Sequence, residues 1–275
     1  DKALPLSPKH EHEQEVVHDP ARGPAHETHQ VDGQLGPAAH PDIAEICAGQ
    51  GYDWLLIDGE HGPQTLPGIV AQLRAVEATP PCSAIVRVPG HDSVTIKQVL
   101  DLGAQTLMVP MVETAEQAKA IVTASRYPPA GERGLGGARA SRWGGYPAYV
   151  AEANAQVCII AQIETATAVD NIEAIAAVDG IDALFLGPAD LAATEGLLGA
   201  SSFDALFKLT GEALARIVAT GKPAGILSRD ERLVQQFLDG GARFIANGID
   251  SFTFAKGAGD GLRRWRERIA AQGGV

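Results

Sequence analysis

The sequence predicts an α/β fold, a TIM-type (β/α)8 barrel, and three observations predict it. Short apolar runs of four to seven residues alternate with helical stretches of about ten or more, the pattern of βαβ units on a parallel sheet. The chain has 275 residues, and barrels of about 250 residues commonly form one unit. Hydrophobic residues make up 45% of the chain but aromatics only 5%, so Ala, Val, Ile, Leu and Gly carry the core. Small and branched side chains of that kind suit helices packed closely on a parallel sheet.

Taken in order, residues 41–50 read as a short amphipathic helix and 53–57 as a strand ending in Asp58-Gly59-Glu60-His61. A helix over 65–78 precedes a strand at 84–88, and a helix over 93–102, closed by Gly103, precedes a strand at 106–109. Residues 114–126 read as a helix whose Thr114 and Gln117 have capping-box spacing. A Gly-rich loop over 128–146 follows, then a strand at 157–163 running into Glu164. Next come a helix over 168–177 and a strand at 183–186 ending in Gly187-Pro188-Ala189-Asp190. Helices over 203–220 and 230–240 alternate with strands at 224–227 and 243–246, and a terminal helix carries the basic run Arg263-Arg264-Trp265-Arg266. Seven strands are legible, one short of closure. The first strand is therefore expected to be atypical, hidden near residues 31–35, or missing.

Residues 1–40 form a polar, Pro-rich extension without periodicity, followed by a barrel domain over 41–275. Six of the eight histidines (His10, His12, His18, His26, His29 and His40) fall in this extension, without the spacing of a structural zinc site, and its composition is that of disorder. The chain opens with Asp rather than Met, as a fragment or processed form would, and no signal peptide is visible.

The net charge of −12 argues against nucleic acid, whose binders carry basic stripes. No apolar run approaches the roughly 18 residues of a membrane helix. Cys47, Cys82 and Cys158 are odd in number and sit mostly in apolar stretches, which suits buried free thiols and a cytoplasmic setting.

Polar chemistry gathers where the strands end. Those ends hold Asp58, Glu60, His61, Arg87, Glu164 and Asp190, and in a β/α barrel the working residues lie at the carboxyl ends of strands. Glu164 and Asp190 close consecutive strands, so they are expected to be neighbours. Two carboxylates make an oxygen-rich site for Mg2+, Mn2+ or Co2+, with positions left open for the carboxylate and keto oxygens of a 2-oxo acid. Such a metal acts as a Lewis acid on the carbonyl and stabilises an enolate. Arg87 suits the substrate oxygens, and His61 suits a general base or proton relay oriented by Asp58 or Glu60. Schiff-base chemistry needs a Lys in the site. However, Lys97, Lys119, Lys208 and Lys256 lie on or beside helices, Lys222 precedes its strand, and Lys2 and Lys9 are in the tail.

These residues stand in segments that together resemble one family. They are DWLLIDGEHG (53–62), IVRVP (85–89), IKQVLDLGAQTLMVPMVETAEQAK (96–119), RYPPAGERG (126–134), ARASRWG (138–144), AQIETATAV (161–169), LGPADLA (186–192) and PAGIL (223–227). In this order and spacing the chain resembles the 4-hydroxy-2-oxoheptanedioate aldolase and 2-dehydro-3-deoxyglucarate aldolase family over roughly residues 41–256. The resemblance implies a metal-dependent (class II) barrel enzyme that reversibly cleaves 4-hydroxy-2-oxo acids, of the hydroxy-oxo-diacid or deoxy-sugar-acid type, into pyruvate and an aldehyde.

By that resemblance Glu164 and Asp190 are the metal ligands. His61 is the base, working with a water and supported by Asp58, and Arg87 and Gln162 contact the pyruvate moiety. The backbone of Gly187, Pro188 and Ala189 receives its carboxylate, and Leu227 shapes the aldehyde pocket. It also implies a homo-oligomer, a hexamer that exchanges its last helix. The family's first strand carries Gly-x-Trp, with the Trp at the pocket; here Gly36-Pro-Ala-Ala-His40 stands in that region and no Trp precedes Trp54. The loop 134–138 is about two residues shorter than in the family, at a place the resemblance puts near the substrate mouth. Two alternatives accompany this reading. One is a lyase of acyl-CoA esters from the same superfamily, for which no basic cluster is placed. The other is a catalytically impaired barrel without its first strand.

Overall fold

The computed structural model describes residues 31–199 and 203–272. Eight parallel strands close into a barrel in sequence order: β1 (Val31–Gly36), β2 (Trp54–Asp58), β3 (Ser83–Arg87), β4 (Thr106–Val109), β5 (Cys158–Ile163), β6 (Ala183–Leu186), β7 (Ala224–Leu227) and β8 (Phe244–Ile249). Among the described residues eleven α-helices lie between and after them: α1 (Pro41–Ala48), α2 (Leu66–Glu77), α3 (Ser93–Asp101), α4 (Ala115–Ser125), α5 (Tyr149–Gln156), α6 (Ala166–Asp170), α7 (Ile172–Ala176), α8 (Pro188–Thr194), α9 (Phe203–Ala219), α10 (Glu231–Asp239) and α11 (Asp250–Ala271). Among the described residues no helix is long and apolar enough to cross a membrane.

The first strand is present. β1 pairs in parallel with β2 on one side and β8 on the other, with a register shift between Gly33 and Gln34 against β8. The barrel thus begins at Val31, inside the stretch read as an extension, and a barrel missing this strand is not what the chain forms. Residues 1–30, with His10, His12, His18, His26 and His29, lie outside the described residues. β1 lies where a hidden strand was expected, near residues 31–35; it is faint in the sequence because VDGQLG holds only two apolar side chains, Val31 and Leu35. Gly33 has a packing reason: a Cβ there would fall 2.0 Å from Cε2 of the Trp54 indole, which lies across it.

Period-two alternation sorts the strand residues into two cores. Trp54, Leu56, Ile85, Met108, Ile160, Phe185 and Phe244 fill the barrel interior. Leu55 and Ile57, one residue out of phase, face the helices with their equivalents on other strands. Trp54 is fully buried at the amino end of β2, so it plugs the far end of the barrel and does not substitute for a Trp at the mouth.

Three local readings change. The helix expected over 168–177 is two short helices, α6 and α7, broken at Asn171. α5 and α8 arise where no helix was expected, so Asp190 sits in the first turn of α8 rather than on a strand end. The capping box of α4 forms as the spacing predicts.

The Gly-rich loop lies away from the mouth. Arg139 donates to the Leu102 carbonyl at 2.7 Å and pairs with Glu77. It is thereby tied to the last turns of α2 and α3, which lie at the amino ends of the strands. Arg133 pairs with Asp101 at 2.8 Å from the same side. Within one chain this segment is scaffold, because helices returning antiparallel to the strands end at the opposite face.

Candidate functional site

Inward parity carries a run of polar residues to the carboxyl end of the barrel. Asp58 continues the series Trp54, Leu56; Arg87 continues Ile85; Gln162 and Glu164 continue Cys158 and Ile160; Leu227 packs against the inner cluster. All lie above the apolar plug. The sheet register brings Asp58 directly opposite Arg87.

Asp58 is fully buried; three donors bond its Oδ1 and the Arg87 guanidinium lies against its Oδ2. Arg87 Nε donates to Oδ1 at 2.9 Å and Arg87 Nη2 lies 2.8 Å from Oδ2. The backbone N–H groups of Glu60 and His61 also donate to Oδ1, at 3.1 and 3.2 Å. Burial works to raise its pKa, but the Arg87 bond and charge and the two N–H groups outweigh it and hold the carboxyl below the ordinary range. Asp58 therefore supports His61 through the loop backbone. It is Glu60 whose Oε2 lies 3.7 Å from His61 Nε2, and the imidazole itself is 61% exposed at the rim.

Arg87 has one nitrogen turned to the site. Nη1 lies 3.1 Å from Glu60 Oε2 and donates to Gln162 Oε1 at 3.5 Å. Gln162 in turn donates from Nε2 to Glu164 Oε2 at 3.1 Å, so it links the arginine to the buried acid. The other oxygen of Glu164 accepts the N–H of Met111 at 2.7 Å. Glu164 is 1% exposed. Burial lifts its pKa to about 7, the charges of Glu60 and Asp190 add to the rise, and the Met111 N–H and Arg87 only partly oppose it. Glu60 is raised as well, by burial first, with Arg87 and His61 opposing and Asp58 and Asp190 adding.

The structure thus places Glu164, Asp190 and Glu60 within one another's fields. Among the described residues no group of three or more His, Cys, Asp or Glu is arranged as a full metal cage. What exists is a cluster of acids in which buried Glu164 resists ionising unless positive charge arrives. That is what a hard divalent cation supplies, with two carboxylates and solvent as its donors. The donor set fits such a cation.

Gly187 keeps Glu164 in place by lacking a side chain: a Cβ would lie 2.5 Å from Glu164 Oε2. Its N–H is already given to the Ile163 carbonyl at 3.1 Å, and Pro188 has none. Ala189 and Asp190, in the first turn of α8, retain N–H groups without an intrahelical acceptor. Leu227 is half-buried at the inner end of β7. Lys222 donates to the Ile181 carbonyl at 2.7 Å, at the amino ends of the strands. Every other described lysine is on a helix, so none reaches the pocket. Met111 and its N–H escaped the sequence reading, because a backbone donor leaves no mark in residue type.

Comparisons with known proteins place the chain among aldolases. The family described as HpcH/HpaI aldolase/citrate lyase matches residues 35–257. A 4-hydroxy-2-oxovalerate aldolase of Rhodococcus jostii is 55% identical over 213 residues, 78% of this chain and 83% of its own. A 4-hydroxy-2-oxo-heptane-1,7-dioate aldolase of Salmonella arizonae is 48% identical over 217 residues, 78% of this chain and 82% of its own. Among solved structures, an HpcH/HpaI aldolase/citrate lyase family protein from Burkholderia cenocepacia superposes with a TM-score of 0.84 at 36% identity, covering 88% of this chain and 96% of the other.

Proposed function

The chain belongs to the HpcH/HpaI aldolase/citrate lyase family and is an aldolase, a carbon–carbon lyase; on that premise we propose that it cleaves 4-hydroxy-2-oxo acids reversibly into pyruvate and an aldehyde with the help of a divalent cation. The observation that carries this reading is Glu164, a carboxylate shut away from water beside two other acids and linked through Gln162 to Arg87. Hydroxy-oxo-diacids and deoxy-sugar acids are the substrate types that the resemblance favours. Magnesium, manganese and cobalt(II) all suit the donor set.

Glu164 and Asp190 would hold the cation, which when bound supplies Lewis-acid polarisation of the substrate's keto oxygen. Arg87 Nη1, which faces Glu60 and Gln162, is the nitrogen that would meet that oxygen, since Nε and Nη2 are committed to Asp58. The N–H groups of Ala189 and Asp190 receive the carboxylate beside the helix terminus. His61, at the rim, takes the proton from the C4 hydroxyl with a water between them. The C3–C4 bond then breaks, the aldehyde departs, and the electron pair spreads over C3, C2 and the keto oxygen. A proton returned to C3 completes pyruvate. Leu227 faces the departing aldehyde.

The exposed apolar residues of α11, among them Phe254 at 72% and Trp265 at 63% exposure, support assembly as a homo-oligomer in which this helix is covered; a hexamer is the resemblance's expectation. Three free cysteines support a cytoplasmic setting.

The test is hydrogen–deuterium exchange at the pyruvate methyl group, followed by NMR with added Mg2+. Exchange is expected in the wild-type protein and in Lys222→Ala, and should vanish in Glu164→Ala. Exchange that survives Glu164→Ala, or that needs Lys222, would overturn the reading.

A further inference from the structure

Met111 is held in an uncomfortable conformation for no reason of its own. Its φ is +55°, in the left-handed region that a side chain with a Cβ disfavours. Its side chain is exposed, so core packing does not hold it there. The gain lies in the backbone, because this turn at the exit of β4 aims the Met111 N–H at Glu164 Oε1, 2.7 Å away.

The same peptide unit is gripped from its other end. His91, in the loop between β3 and α3, places Nε2 2.6 Å from the Pro110 carbonyl oxygen. A carbonyl oxygen only accepts, so Nε2 carries the proton. The peptide joining Pro110 to Met111 therefore receives at its oxygen from His91 and gives from its nitrogen to Glu164. Pro110 has no N–H and is buried against the barrel. Val112, beyond the turn, is pinned by its N–H to the Gln162 carbonyl at 3.3 Å. Between those anchors, His91 and Glu164 hold the two polar ends of the peptide plane.

We propose that His91 is a positioning residue for Glu164, acting through the Pro110–Met111 peptide, which it locks in the left-handed turn so that the carboxylate keeps one oriented oxygen for the cation. The inference rests on the reading of Glu164 as a cation ligand. His91 touches no reacting atom.

Two readouts test it. The first is amide hydrogen exchange of the cation-free protein, read by mass spectrometry on peptides spanning residues 107–114. The second is Mn2+ affinity by calorimetry. His91→Ala is expected to lose protection at Met111 and to weaken Mn2+ binding roughly 10-fold, the loss of one hydrogen bond to a charged group. His91→Gln, which carries a donor at the same reach, retains both. Adding Met111→Gly to His91→Ala restores most of both, because glycine enters the left-handed region without help. Unchanged protection and affinity in His91→Ala would overturn the proposal, as would a double variant no better than His91→Ala alone. If the wild-type protein takes up no Mn2+, the cation reading of Glu164 fails, while the exchange comparison still decides whether His91 sets the turn.

Discussion

Arg87 and Asp58 form a two-pronged pair across neighbouring strands, Nε to Oδ1 at 2.9 Å and Nη2 to Oδ2 at 2.8 Å, with both side chains nearly out of water. The pair settles which part of the guanidinium remains for chemistry. With two nitrogens spent on Asp58, Nη1 is left facing Glu60 and Gln162. A buried fork of this kind orients a cation, and breaking one side leaves the other charge stranded.

Arg87→Lys keeps the charge but cannot hold Asp58 and the substrate oxygen at once. It is expected to lower kcat/KM by roughly 100-fold, about 3 kcal/mol of transition-state binding. Asp58→Asn should cost on the order of 3 kcal/mol of stability in urea denaturation, as the uncompensated guanidinium is left buried. Steady-state kinetics and denaturation of the two variants check this. A Lys variant with wild-type kcat/KM would contradict the role given to Nη1.

The pH dependence of stability has a definite sign. The folded pKa of Glu164, about 7, stands above its ordinary 4.5, so between those values the folded chain holds a proton that the unfolded chain has lost. Cation-free protein should therefore lose stability as pH rises from about 4.5 through about 7, by on the order of 3 kcal/mol in total. Glu60, also raised by burial, acts in the same direction. Asp58, held low, contributes stability that is lost only as pH falls below about 4. Thermal melts of chelated protein near pH 5 and near pH 8 should show a lower Tm at the higher pH. Mg2+ should recover it there, and Glu164→Gln should flatten the difference. A chelated wild-type protein that melts higher near pH 8 would contradict this.

Leu227→Ala opens the inner end of β7 where the aldehyde departs. Selectivity between a short and a bulky aldehyde in the condensation direction should shift about 10-fold toward the bulky one, the scale of one to three kcal/mol for lost apolar contact. Competition assays with paired aldehydes give the ratio directly. An unchanged ratio would remove Leu227 from the pocket.

Gly33→Ala should be severely destabilising, by roughly 3 kcal/mol or more, because the added methyl meets the Trp54 ring and backbone on both sides is locked in the sheet. Pairing it with Trp54→Leu should return part of the loss, since the double variant makes room. Additive losses would show that the glycine serves something other than this contact.

Much of this was legible in residue order. Runs such as Cys158–Ile163 and Ala183–Leu186 are buried on both faces and so read as continuous apolar strands. The strand-end acids stood out because charge at the end of such a run is costly without a partner. β1 was faint because its glycine serves the Trp54 indole and its Gln34 is buried but polar, so neither shows as strand patterning. α8 was hidden because Gly187 and Pro188 look like loop, although Pro at the first helical position starts a helix well. The roles of Met111 and His91 were out of reach: one acts through an N–H and the other on a carbonyl, and only the fold brings such groups to Glu164. Shortness of the loop before Arg139 suggested a change at the mouth. However, position along the chain did not reveal that the loop is tied to the far ends of α2 and α3.

The most direct measurement is calorimetric titration of Mn2+ into the folded, chelator-stripped protein, run beside Glu164→Gln and Asp190→Asn. One site per chain is predicted in the wild-type protein, with affinity reduced at least 100-fold in each variant. Absence of uptake by the wild-type chain, or uptake that both variants leave untouched, would contradict the account.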